Sequence, residues 1–268
     1  MNTLFPSSLW IILAVCALMC IIGFYKFVYF LSVGYGFAVT GAGIMILILF
    51  GKNLSVWTIL MCLLFVIYGI RLGGFLLLRE IKSASYRKTL SHATKTEKPM
   101  PFFVKAAIWI CVSIMYVLQV SPVFYRAFNG DTVNLFAIAG VIIMAIAVII
   151  ESLADKQKSA AKKINPNRFC DTGLYKIVRC PNYFGEVLFW TGVLISGIGA
   201  VKGLQWIIAI LGYILIVYVM LSGAKRLEVR QNKNYGKDTE YQAYVKKTPI
   251  IFPCIPMYHL EDVSWIVV

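Results

Sequence analysis

Seven times along its 268 residues the chain runs apolar for close to the thickness of a bilayer, at about 8–25, 28–50, 54–78, 102–121, 132–153, 184–200 and 203–222. A helix needs about twenty such residues to cross roughly 30 Å of hydrocarbon. Strands of a membrane barrel would instead alternate in segments of about ten. Helix is the remaining way to satisfy a backbone in lipid. The expectation is an all-α polytopic membrane protein with about seven transmembrane helices. It forms a single membrane domain over 1–268, with polar loops at 79–101 and 154–183 and a tail at 223–268. Composition agrees, because 60% of the residues are hydrophobic and 14% charged, against about 45–50% and about 25% in soluble chains.

Charge supplies direction. The chain holds 26 Lys+Arg against 12 Asp+Glu, for a net charge of +14. Twenty-one of those bases follow spans one, three, five and seven, whereas only Lys52, Arg126 and Lys202 lie in the opposite loops. By the positive-inside rule the N-terminus is expected outside and the C-terminus in the cytosol. Bases gathered in loops between spans report topology and attraction to anionic lipid before any nucleic acid. The leader Met1–Ser8 carries no base, and no small-residue cleavage site follows the first run. That run is expected to stay as an anchor.

The membrane also marks residues as expensive. Arg71 lies inside span three, where an arginine costs at least about 2.5–3.5 kcal/mol and so faces a cavity or a partner. Tyr68 shares its helix face at i and i+3, and Gly73 and Gly74 allow close approach of a helix or ligand. A snorkelling or salt-bridged Arg71 is the plainer alternative. Glu151, Asp155, Lys158 and Lys162 step by four, three and four, forming one stripe at the end of span five. Such a stripe could hold a ribose and a phosphate, or it could be a salt-bridge ladder worth a few tenths of a kcal/mol per pair. In the segment 173–186, Pro181 suits the first turn of a helix. Asn182 and Glu186 then share a face, and the deep carboxylate needs a polar ligand or a partner such as Arg179 or Lys176. In the tail, Tyr241 and Tyr244 share a face, and the Pro-bounded piece 248–253 is expected either to return to the membrane surface or to belong to an interfacial helix.

Other chemistries find no support. The seven cysteines show no CxxC spacing, so no metal site or disulfide framework is expected. His92 and His259 have no partner spacing, and no phosphate-binding glycine loop follows a strand.

The segment Gly173-Leu-Tyr-Lys-Ile-Val-Arg-Cys-Pro-Asn-Tyr-Phe-Gly-Glu186 resembles the GLW-x-x-x-R-H-P-N-Y-F-G-E signature of bacterial proteins in the steroid 5-alpha-reductase-like family. The likeness extends to Glu151–Asp155–Gln157, to the Arg-Leu-Gly-Gly…Arg79 segment and to the Tyr-x-x-Tyr…Thr-Pro…Phe-Pro tail. The resemblance implies a seven-helix fold with NADPH held at the cytosolic face and hydride passed to an activated C=C of a buried lipid. It matches Asp155, Asn182 and Glu186 to cofactor contacts, Lys162 to a basic contact and Tyr244 to a tail tyrosine. Arg79 and Tyr86 correspond to a basic-aromatic loop over the cofactor, and Arg71, Arg179 and Tyr183 complete the expected cofactor-binding set. Tyr68 resembles the tyrosine that hydrogen-bonds the substrate carbonyl. Two departures stand out: Cys180 replaces the signature histidine, and span two lacks the glutamine-glutamate pair of the steroid enzymes.

The function expected is therefore an NADPH-dependent membrane reductase of a carbonyl-conjugated C=C in a steroid-like or other lipid, with Tyr68 as catalytic donor. The alternatives are an isoprenylcysteine-type SAM-dependent methyltransferase and a non-catalytic lipid-binding membrane protein.

Overall fold

A computed structural model describes residues 3–82 and 100–267, without the side chains of Arg79 and Lys82. Among the described residues every regular element is helical. The α-helices are α1 (Ser7–Cys20), α2 (Val33–Phe50), α3 (Val56–Lys82), α4 (Phe102–Phe128), α5 (Leu135–Ile164), α6 (Pro181–Ser196), α7 (Gln205–Tyr235) and α8 (Thr239–Lys247). Short 3-10 turns at Ile21–Phe24 and Phe27–Leu31 join α1 to α2.

Among the described residues, six stretches are long and apolar enough to cross a membrane: Ser7–Phe24, Phe27–Asn53, Val56–Leu78, Phe102–Phe128, Leu135–Ile164 and Gln205–Tyr235. The chain is a multi-pass membrane protein. These six coincide with six of the seven expected runs. The remaining run, at 184–200, is α6, a helix of 16 residues and so about 24 Å long at 1.5 Å per residue. It ends in turns that use left-handed glycines at Gly199 and Gly203.

The helices outrun the apolar stretches that announce them. Helix α5 continues beyond 153 to Ile164, and α7 beyond 222 to Tyr235. Hydropathy drops where lipid ends, but backbone hydrogen bonding need not stop there.

The chain divides into two compact units, Met1–Val141 with Val193–Tyr213, and Ile142–Gly192 with Ile214–Val268. In the first, α2 packs along α3 and against α1. A Cβ on Gly36 would lie 2.6 Å from the Gly69 carbonyl oxygen and 2.7 Å from the Gly73 nitrogen. Only a residue without a side chain lets the two backbones come this close. At one end, the buried Arg126 donates to the Ser196 carbonyl at 2.8 Å and the Thr132 carbonyl at 2.6 Å, with the Asp131 carboxylate 3.8 Å away. Asp131 in turn accepts from the Thr58 hydroxyl at 2.6 Å and from the Ser55 amide. Elsewhere in this unit Lys26 pairs with the buried Glu80, and that bond holds the ammonium above its ordinary pKa.

The second unit has a core in which Cys180, Leu221, Ala224 and Leu227 meet Ile250, Ile251, Leu260 and Ile266. The piece 248–253 is thus largely internal: Thr248, Ile250 and Ile251 are buried, rather than lying out on a membrane surface.

Candidate functional site

The polar extension of α5 builds one wall. Glu151 is buried, and Asp155, Lys158 and Lys162 are half-buried along the same face. The Lys162 ammonium donates to the carbonyls of Arg168 at 2.6 Å and Pro166 at 3.0 Å, and to the Tyr235 hydroxyl at 2.8 Å. Its role here is to pin the loop after α5 to the end of α7. Gln157 accepts from the Leu174 amide at 2.9 Å. This closes a turn in which Gly173 has φ +61°, and a Cβ there would lie 2.6 Å from the Gln157 Cδ.

Aromatic rings line the next layer. Phe169 stacks on Tyr244 at 5.4 Å and meets Tyr241 edge-on at 5.2 Å. The Tyr244 hydroxyl donates to the Tyr175 carbonyl at 2.7 Å. Burial pushes the Tyr241 phenol up to about 12 and raises those of Tyr175 and Tyr244 as well. All three stay neutral at physiological pH.

Between these rings and α7 lies a pocket of about 90 Å³. Lys158, Lys162 and Arg230 supply three cations to its wall, Phe169, Tyr175 and Tyr235 three rings, and Gln231 and Asn234 two carboxamides. No carboxylate is among its lining residues. A cavity of this volume holds several waters, which is room enough for one phosphate group.

The signature segment lies in the same unit. The Arg179 and Cys180 amides donate to the Pro249 and Ile250 carbonyls at 2.9 and 2.8 Å. Buried Arg179 sends Nη2 to the Glu228 carboxylate at 2.9 Å and to the Tyr258 carbonyl. Its Nε and Nη1 have no hydrogen-bond partner among the described residues. Glu228 also accepts the Leu260 and Glu261 amides at 2.7 and 3.1 Å, with His259 Nδ1 at 3.3 Å. Arg179 therefore pairs with Glu228, not with Glu186. Helix α6 starts at Pro181, as a proline suited to the first turn leads one to expect. Asn182 and Tyr183 are half-buried just inside it, and the buried Glu186 accepts the Trp190 indole N–H at 3.2 Å. Burial pushes the Cys180 thiol up to about 12.

The tyrosine expected to act on substrate belongs to the other unit. Tyr68 on α3 is buried, and its hydroxyl bonds to that of Tyr35 on α2 at 3.0 Å. Tyr35 stacks on Tyr116 at 4.9 Å, and Tyr116 donates to the Phe30 carbonyl at 2.6 Å. Arg71 is half-buried one turn beyond Tyr68. Tyr86 and the side chain of Arg79 lie outside the described residues.

Asp155, Lys162, Arg179, Asn182, Tyr183, Glu186 and Tyr244 thus fall in one unit, and Tyr68 and Arg71 in the other. Sequence reasoning missed Glu228, Arg230, Tyr235 and Phe169. A signal existed for two of them. Glu228 is the one acid in the basic run Lys225–Arg230, and Arg230 stands one helical turn before Asn234 in a stretch too polar for lipid.

A family model described as "Protein of unknown function (DUF1295)" matches residues 17–248. The chain belongs to this family. The match takes in every candidate site residue of this DUF1295 member, from Tyr68 to Tyr244, while residues 249–267 lie beyond it. Searches of curated proteins and of solved structures returned no match.

Proposed function

We propose that this protein is an NADPH-dependent membrane reductase of a C=C conjugated to a carbonyl, in a steroid-like or other lipid. The observation that carries the reading is the cationic, aromatic-walled pocket over Lys158, Lys162 and Arg230. It lies in the unit that also holds the signature residues Asn182, Tyr183 and Glu186. Its charge and size suit one phosphate of a dinucleotide. The likeness of segment 173–186 to the reductase signature supports the same choice.

On this reading Lys158 and Arg230 hold phosphate, while Asp155, Asn182, Tyr183, Glu186 and Tyr244 position the rest of the cofactor by hydrogen bonding. Lys162 acts by fixing Tyr235 and by its field. NADPH, when bound, supplies the hydride. Tyr68 turns its O–H from the Tyr35 hydroxyl to the substrate carbonyl and stabilises the oxygen as it gains charge. The Tyr35 hydroxyl, bonded to it at 3.0 Å, takes part of the task that an acid in span two performs in the steroid enzymes. The charge asymmetry of the loops supports a cofactor side in the cytosol with the N-terminus outside, and the membrane proposed is a bacterial plasma membrane, or the endoplasmic reticulum in a eukaryote.

The test is thermal stabilisation of the purified protein. NADPH should raise the melting temperature, and Lys158→Gln and Arg230→Gln should each reduce that gain. A rise with SAM alone would make the protein a methyltransferase. No rise with either would favour a lipid-binding protein without catalysis.

A further inference from the structure

The end of the described chain runs back along α7, against the helix direction, and α7 side chains hold it by its backbone. Glu228 accepts the Leu260 and Glu261 amides. The Lys225 ammonium donates to the Val263 carbonyl at 2.8 Å and the Ile266 carbonyl at 3.1 Å. The Tyr218 hydroxyl lies 3.4 Å from the Trp265 carbonyl and 3.3 Å from the Val267 amide. Tyr218, Lys225 and Glu228 are spaced seven and three apart, which places them on one face of the helix.

The depth of this contact decides its meaning. Helix α7 carries no charged residue from Gln205 to Ala224, about the length that spans the hydrocarbon core. Lys225 therefore marks the polar border. Tyr218, seven residues deeper, lies about 10 Å inside it at 1.5 Å per residue. Trp265 is drawn to that level, its ring centroid 6.4 Å from that of Tyr218. An irregular backbone is tolerated at such depth only if its polar groups are satisfied by protein, and Tyr218 and Lys225 satisfy several of them. Lys225 is only 9% exposed, so it serves the segment's carbonyls and not lipid headgroups.

The side chains sort accordingly. Leu260 and Ile266 turn into the core cluster, whereas Trp265 is 63% and Val267 70% exposed. Ile214, one turn deeper than Tyr218 on α7, is likewise 56% exposed within the charge-free run. A large apolar residue exposed there has lipid as its solvent.

We infer that residues 260–267 form a re-entrant strap that dips into the bilayer beside α7 and presents Trp265 and Val267 to lipid acyl chains. The partner is bilayer lipid, and the inference does not depend on what the protein catalyses. The full chain is reconstituted into vesicles of phosphatidylcholine brominated on its acyl chains. The difference in emission between wild type and Trp265→Phe isolates the one indole. That difference emission should be blue-shifted, lost for the most part to brominated lipid and untouched by aqueous iodide. Quenching by iodide with none by brominated lipid would overturn the strap. Should Trp265→Phe fail to fold, a spin label on Val267→Cys, with Cys111 and Cys254 replaced by serine, reads the same environment. Collisions with oxygen should exceed those with a water-soluble nickel chelate, and the reverse order would overturn the inference.

Discussion

Arg179 and Glu228, 49 residues apart in sequence, form an ion pair at 2.9 Å with both side chains almost wholly buried. The carboxylate is shared with two backbone amides of the closing segment, so it organises the signature loop, α7 and residues 258–261 together. Removing one charge of such a pair leaves the other in low dielectric without compensation. Glu228→Ala should lower stability by about 3–5 kcal/mol, read as a fall in the denaturation midpoint in detergent. Glu228→Gln, which keeps an acceptor oxygen, should cost less. Equal losses for the two variants would mean that charge is not what matters here.

The tyrosine on α3 is the sharpest test of the chemistry. Tyr68→Phe removes the hydroxyl bonded to Tyr35 and leaves the ring in place. If that phenol stabilises a developing enolate, turnover should fall about 10²–10³-fold with little change in NADPH affinity. NADPH oxidation with a Δ4-3-keto steroid or another active enone measures it. Turnover within a few-fold of wild type would remove Tyr68 from the mechanism.

Thiol reactivity should separate Cys180 from Cys254. With its thiol pushed up to about 12 by burial, the Cys180 thiolate is about 10⁻⁴ of the total at pH 8, and the thiolate is the reacting form. Maleimide at pH 8 should therefore label the exposed Cys254 and spare Cys180. Mass spectrometry of the digested protein decides this. Prompt modification of Cys180 in the folded protein would refute the burial argument.

The seam between α2 and α3 predicts a graded response to added side chains. Gly69→Val should destabilise by at least about 1–3 kcal/mol, the usual cost of overpacking, because its Cβ would meet the Gly36 carbonyl and the Thr40 hydroxyl. Gly74→Ala is the control, since nothing lies within 4 Å of a Cβ there. Thermal unfolding of both variants in the same detergent is the comparison, and equal midpoints would count against the seam.

Asp131 sets up a different contrast. Its φ of +40° is one that asparagine tolerates well. Asp131→Asn should keep the bond to Thr58 and cost less than Asp131→Ala. Both variants leave the buried Arg126 without its acid, at a cost of about 3–5 kcal/mol, and alanine adds the loss of the Thr58 bond and strain at the positive φ. Unfolding midpoints again decide it.

Much of this architecture was legible in the residue order, for physical reasons. Lipid leaves runs of apolar residues, so the helices at Val56–Leu78 and Phe102–Phe128 announce themselves. The stripe from Glu151 to Lys162 was readable because helical spacing alone puts those residues on one face. Pro181 marked a helix start for a similarly local cause. What stayed hidden depends on distant partners. Nothing near Glu228 names Arg179, and nothing near Lys162 says that its ammonium will be taken up by the Pro166 and Arg168 carbonyls and by Tyr235. The ends of α5 and α7 were hidden too, because the charges that end an apolar run are good helix formers.

The main-chain pairing of Arg179 and Cys180 with Pro249 and Ile250 bears on where this protein can be cut. The family match stops at residue 248, an inviting place to end a shortened gene. A chain ended there would lose the acceptors of two amides at the heart of the signature. It would also strip Ile250, Ile251, Leu260 and Ile266 from their seats on Cys180, Leu221, Ala224 and Leu227. The limit of the family match is therefore not a limit of autonomous folding, and residues 249–267 belong to the folded unit as much as the matched part does.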